Sequence, residues 1–112
     1  MKISDLAEKL DIQPVAGQNG MDRPVQNGYC GDLLSEVMAN TPEGSVWLTV
    51  QSHQNIVAIA VLKEMAAIIL TSGIAPDAET LKKADEENIP LFTWPGSSFE
   101  LATRIQAAGV GA

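Results

Sequence analysis

At 112 residues, with 46% apolar and 19% charged side chains, the chain has the composition of one globular domain, 1–112, and not of a disordered or fibrous protein. Its 14 acidic against 7 basic residues leave a net charge of −7, which repels phosphate backbones and anionic lipid and argues against nucleic acid or a membrane as partner. The lone Cys30 allows neither an internal disulfide nor a cysteine-rich zinc site, and no apolar run is long enough to span a bilayer, so a cytoplasmic location is expected.

Ile3, Leu6, Ala7 and Leu10 recur at helical spacing, and Ser4 is placed to cap the first turn, so residues 4–10 are expected to form a short amphipathic helix. Residues 11–27 carry Pro14, Gly17, Gly20 and Pro24 and offer only short β-like pieces, around 12–16 and 24–27. Gly28-Tyr29-Cys30-Gly31-Asp32 reads as a strand end and a glycine-containing turn. Asp32 is expected to cap the helix that follows, which uses Leu33, Leu34, Val37 and Met38 and ends at Thr41-Pro42-Glu43-Gly44.

Ser45 to Leu70 is the centre of the chain. An apolar strand (46–50), a polar joint (51–55), a nearly all-apolar helix (56–62) and a second apolar strand (66–70) follow one another. Elements with no polar face need cover on every side, which marks a parallel β-α-β crossover. Asn55 is the expected N-cap of that helix, and Trp47 an expected core residue. Thr71-Ser72-Gly73-Ile74-Ala75-Pro76-Asp77 then loops into a mostly polar helix over 77–87, with Leu81 and Ala84 inward. Residues 89–93 form a last strand, and Trp94-Pro95-Gly96-Ser97-Ser98 leads into a helix using Leu101, Ala102, Ile105 and Ala108 and stopped by Gly109.

Four strand-helix units predict an α/β fold: a three-layer sandwich around a mainly parallel sheet built from four consecutive β-α units. Right-handed crossovers bring every strand-to-helix joint to one edge of the sheet, where ligands bind in such folds. The candidate ligand contacts at that edge are Gly31, Asp32, Gln51, Ser52, His53, Asn55, Thr71, Ser72, Gly73 and Trp94.

Gly, Ser and Thr at converging helix N-termini suit an anion, because unpaired backbone N–H groups point outward there. The strong nucleotide motifs are missing: no Gly-rich run ends in Lys-Ser or Lys-Thr, and no Gly-x-Gly-x-x-Gly opens a helix. His53, the only histidine, reads either as a capping or packing residue or as a contact to phosphate. As a base or phosphoacceptor it would need an orienting carboxylate, and none lies nearby in sequence; one histidine does not make a metal site. Cys30 reads either as a reactive thiol or, the preferred reading, as a small buried residue in a tight joint. Trp94 could stack on a base or, with Phe92 and Met65, form an exposed cluster that a second copy would cover. Asp32 and Glu36 read as a solvated helix end and not as a catalytic pair.

Three of these stretches carry a resemblance. Gln51-Ser52-His53-Gln54-Asn55-Ile56-Val57 after one strand, Thr71-Ser72-Gly73-Ile74-Ala75-Pro76-Asp77 after the next, and Gly28-Tyr29-Cys30-Gly31-Asp32 before the first long helix resemble the DRTGG domain family, with Asn88-Ile89-Pro90-Leu91-Phe92 keeping the family's order. The resemblance runs from about Val25 to the end. It implies a fold similar to the N-terminal domain of HPr kinase and a non-catalytic regulatory or ligand-sensing module, often a homodimer, and it does not imply kinase activity; no cofactor or metal is expected. Ser52 and His53 stand where the family carries Asp-Arg, and Thr71, Ser72 and Gly73 where it carries Thr-Gly-Gly. The bidentate phosphate clamp of that arginine is therefore missing.

Three functional readings stay open. The first is a sensor for an adenine nucleotide or another small anion at the joint edge, acting through a protein partner. The second is an adaptor with no small ligand, serving a redox enzyme such as an iron hydrogenase. The third is a phosphoacceptor at His53.

Overall fold

Four short strands lie side by side in the order in which the chain makes them. The computed structural model describes residues 1–111. Its elements are α1 (Ile3–Leu10), β1 (Asn27–Cys30), α2 (Leu34–Asn40), β2 (Ser45–Thr49), α3 (Asn55–Leu62), β3 (Ala67–Leu70), α4 (Ala78–Glu87), β4 (Leu91–Thr93) and α5 (Ser98–Ala107), with a single 3-10 turn at Gln18–Gly20. The sheet order is β1-β2-β3-β4 and every pair is parallel, with Tyr29 beside Trp47, Trp47 beside Ile68, and Ile68 beside Leu91.

Consecutive order with one crossover hand places α2, α3 and α4 on the same face. Val37, Ile56, Val57, Ala60 and Ala84 from those helices pack on Trp47, Ile68, Leu70 and Leu91. The other face is covered by α1 and α5, whose Ile3, Leu6, Leu10, Leu101 and Ile105 pack on Val46, Leu48, Ala67, Ile69 and Phe92. The alternation of the strands explains the split, since successive side chains point to opposite faces. Because both faces are covered, β2 and β3 are buried throughout, as the unbroken apolar runs at 46–48 and 67–70 require.

Several local expectations are corrected. Ser4 does not cap α1; the N-cap position is Lys2, and its N–H donates to the Asp5 carboxylate at 2.9 Å, so the acid three residues on closes the first turn. Helix α3 is not buried all round: Ala58, Val61 and Leu62 are exposed, because only the sheet-facing side and the flank against α4 are covered. The β-like piece at 12–16 forms only an isolated antiparallel bridge, Ala16 with Leu91, and that at 24–27 a bridge of Lys2 with Pro24 before Asn27 opens β1. The first of these lies along the outer edge of β4, where Val15 N–H donates to Leu91 O at 2.7 Å and Leu91 N–H to Ala16 O at 3.0 Å. Phe92 and Met65 are buried, at 2% and 0% exposure, so they cannot form an exposed cluster with Trp94.

Candidate functional site

All four strand-to-helix joints sit at one edge of the sheet, as the parallel pairing demands. The first joint is tied to the second by Asp32. Its Oδ1 accepts the Thr49 hydroxyl at 2.8 Å and the Val50 N–H at 2.9 Å, while Gln51 Nε2 donates to the Asp32 carbonyl at 2.8 Å. Asp32 therefore does not cap α2, whose N-cap position is Leu33 with no side-chain bond. The Gly31 carbonyl accepts from Trp47 Nε1 at 2.9 Å, which anchors the buried indole to the same joint.

In the second joint Asn55 is the first helical residue and not the N-cap; Gln54 holds that position without a side-chain bond. His53 is exposed. Its Nδ1 accepts from the Asn55 N–H at 3.2 Å and is also in contact with the Asn55 side chain. The Ser52 carbonyl accepts from Asp77 N–H at 3.2 Å and from the buried Thr80 hydroxyl at 2.6 Å, which clamps α4 to this joint.

The third and fourth joints are laced together. Ser72 and Gly73 both have positive φ (59° and 69°), and this turns their N–H groups onto the last joint: Ser72 N–H donates to Gly96 O at 2.7 Å and Gly73 N–H to Trp94 O at 3.0 Å. Those two donors are thus spent within the protein and are not presented to an anion. The buried Thr71 hydroxyl shares a 2.6 Å bond with the Ser98 hydroxyl, and Ser97 caps α5 by accepting from Glu100 N–H at 3.1 Å. Trp94 is half-buried. Its Nε1 donates to Glu100 at 3.2 Å, and the Arg104 guanidinium lies 5.5 Å from its ring centre, within cation-π range.

The ten candidate residues are thus brought to one edge, but in two roles. Gly31, Asp32, Asn55, Thr71, Ser72 and Gly73 mainly hold joints to one another. Gln51, Ser52, His53 and Trp94 keep a surface that faces outward. No joint contains a lysine or arginine, and Arg104, from the second turn of α5, is engaged with Trp94 and with Glu100 at 3.8 Å. Among the described residues no group of His, Cys, Asp and Glu could hold a metal.

Apolar side chains at this edge escape a reading based on polar motifs. Leu33 (68% exposed), Val50 (39%) and Phe99 (85%) all project from the joints or from the first turn of α5. Phe99 was legible in principle. It falls two positions from the buried Leu101, off the stripe made by 101, 102, 105 and 108.

Cys30 is exposed, contrary to the expected burial, because β1 is the outermost strand of the sheet. Partial burial, and secondly the charge of Asp32, push its thiol pKa up, away from reactivity. Beside it runs a groove of about 150 Å³ between β1 and α5, lined by Gly28, Cys30, Leu48, Ala102, Ile105 and Val110. It lies along the side of the sheet and outside the cluster of joints.

Comparison with known proteins gives a family and a fold. The DRTGG domain model matches residues 5–108. A solved structure described as the CBS and DRTGG domains of the regulatory region of Clostridium perfringens pyrophosphatase, complexed with the activator diadenosine tetraphosphate, superposes with a TM-score of 0.74 at 17% identity. The match covers 96% of this chain and 46% of that one, so the chain spans about half the length of its structural relative. Comparison with curated protein sequences returns no match.

Proposed function

We propose that this chain, which belongs to the DRTGG domain family, is a non-catalytic regulatory module that takes an adenine nucleotide at the strand-to-helix edge and acts through a protein partner. The observation that carries this reading is the composition of the edge. A half-exposed indole (Trp94), amide and hydroxyl groups (Gln51, Ser52) and exposed apolar side chains lie along it, with no nucleophile held against a base among the described residues. A flat heteroaromatic base is recognised by such surfaces through stacking and a few hydrogen bonds. The regulatory region that shares the fold is described with a dinucleotide activator, which supports the ligand class. With no free cation in the joints, the base and not the phosphate supplies most of the affinity in this reading.

The test is a thermal-shift titration of the intact chain with AMP, ADP, ATP and diadenosine tetraphosphate, on the natural protein and on Trp94→Ala. A ligand at one hundred times its dissociation constant stabilises by about 2.7 kcal/mol, several degrees for a domain of this size. The expected result is a shift with at least one nucleotide that shrinks in Trp94→Ala. No shift with any of them overturns nucleotide sensing and favours the second reading.

That second reading is a protein-interaction adaptor with no small ligand. Its support is the exposure of Leu33, Val50 and Phe99 at the joint edge, apolar surface that a partner would cover. The redox-enzyme partner and the His53 phosphoacceptor draw no comparable support. Nδ1 of His53 is engaged by Asn55, and no carboxylate is bonded to the ring.

A further inference from the structure

The two outer strands of the sheet are treated differently. Along β4, Val15 and Ala16 occupy the outer edge through two backbone bonds to Leu91. Along β1 nothing does. Gly31 N–H points inward to Leu48 O, and in a strand the inward and outward residues alternate, so Gly28 and Cys30 turn their N–H and C=O groups away from the sheet. Both residues are exposed, and neither backbone has a hydrogen-bond partner outside the sheet among the described residues. Residues 26–31 carry neither the charge nor the proline that usually guards such an edge.

The two flanks of this edge differ in chemistry. On the α5 face, Gly28, Cys30 and Ala102 are too small to fill the space over Leu48, Ile105 and Val110, and the groove of about 150 Å³ is what remains. A Cβ placed on Gly28 would meet only Val46 there, at 3.9 Å. On the α2 face stands Tyr29, its hydroxyl bonded to the Glu36 carboxylate, and the other oxygen of that carboxylate would lie 3.3 Å from a Cβ on Gly31. Asn40 is the other side chain that donates to Glu36, and neither of the two ion pairs among the described residues includes it. From Pro24 to Leu62 the chain holds Asp32, Glu36 and Glu43 and no lysine or arginine. The edge therefore has one apolar flank and one anionic flank.

We infer that β1 takes an extended segment of a different protein as a fifth strand, one in which a lysine or arginine has a branched aliphatic residue on each side. Side chains directly opposite one another in a ladder share a face, whichever way the added strand runs. Residues opposite Gly28 and Cys30 turn to the α5 face, where an aliphatic side chain fills the groove. The residue between them, opposite Tyr29, stands beside Glu36, which attracts a cation. Backbone bonds supply affinity in such strand addition, and the alternate side chains supply selectivity.

A second copy of this chain is the poorer occupant of the edge. Its own β1, Asn27–Cys30, has no aliphatic side chain to offer the groove and brings a second Glu36 to the contact. The inference gives the protein partner of the proposed function a surface and a chemistry. It does not rest on the nucleotide, and a peptide titration and a nucleotide titration fail separately.

The experiment is a titration of the isotope-labelled intact chain with the capped peptide Ser-Thr-Val-Lys-Val-Thr-Ser, followed by amide chemical shifts and hydrogen exchange. Saturable shifts at the Gly28 and Cys30 N–H groups are expected, with slower exchange of both. The same peptide with glutamate in place of lysine is expected to bind about fivefold more weakly, and Glu36→Gln to remove most of that difference. Ala102→Leu fills the groove and is expected to weaken the lysine peptide; should it fail to fold, the comparison of the two peptides on Glu36→Gln decides the matter. No saturable shift at Gly28 and Cys30 overturns the inference, as do equal affinities for the two peptides or undiminished binding to a folded Ala102→Leu. So does protection of both amides before any peptide is added, which would place a second copy on the edge already.

Discussion

The Asp32 carboxylate holds the hydroxyl of Thr49, a side chain with no solvent exposure, at 2.8 Å, and so fastens the end of the first strand-helix unit to the end of the second. Asp32→Ala leaves that buried donor without its partner and frees the Val50 N–H as well. The expected loss is about 1–3 kcal/mol, which a thermal melt reads at about 4–8 °C for each kcal/mol in a domain of this size. A change below one degree would mean that the joint is held by other contacts.

Two glycines with similar backbone angles are expected to respond unequally to alanine. At Gly17, φ is 73° and an added Cβ would lie 1.9 Å from Ile89 O, so the chain on either side of that contact must move. At Gly73, φ is 69° and the same atom meets nothing within 4 Å. Gly73→Ala is expected to cost only the left-handed backbone term, about 1–2 kcal/mol. Gly17→Ala adds a backbone collision to that term, and urea unfolding is expected to show a clearly larger loss or no folded protein.

Tyr29 is the only tyrosine, so its phenol can be followed by ultraviolet titration without overlap. Its hydroxyl donates to the Glu36 carboxylate. That bond first, then burial, then the Glu36 charge raise its pKa above 10.0. Glu36→Gln is expected to lower the titration midpoint. The sign for stability follows: a raised folded-state pKa gives a contribution that is complete below the ordinary phenol range and is lost as pH rises through the raised value. An unmoved midpoint in Glu36→Gln would show that the carboxylate does not govern the phenol.

Thr71 and Ser98 join the third joint to the start of α5 through a shared 2.6 Å bond, and Thr71 is fully buried. Ser98→Ala strands the Thr71 hydroxyl and is expected to destabilise by about 1–3 kcal/mol, whereas Ser98→Ala with Thr71→Val removes both polar groups and is expected to recover part of the loss. Equal losses in the single and the double variant would argue that the hydroxyl finds another acceptor.

Much of the architecture was legible in the sequence, for a physical reason. Val46 to Leu48 and Ala67 to Leu70 have no polar face, and only a doubly covered parallel sheet accepts such strands. The stripe of Leu101, Ala102 and Ile105 likewise told which side of α5 faces inward. The joints were less legible. Asp32 and Asn55 are residue types that cap helices, yet the tertiary donors offered by Thr49 and Val50 outcompeted the cap for Asp32, and Gln54 took the turn ahead of Asn55. Cys30 looked like a core residue because composition alone does not tell which strand is outermost. The spent N–H groups of Ser72 and Gly73 depend on a loop more than twenty residues away, beyond the reach of any local pattern.

Helix α5 begins beside β4 and ends over β1 and β2, where Ile105 and Val110 complete the face opposite α2, α3 and α4. The whole sheet and the layer of α2, α3 and α4 are therefore encoded ahead of Ser98–Val110. Without those residues Val46, Leu48, Ile69 and Phe92 would be sheltered mainly by α1 and Val25. A chain lacking Ser98–Val110 would leave one oily face of the sheet open, so closure of the core rests on α5 and the residues just after it.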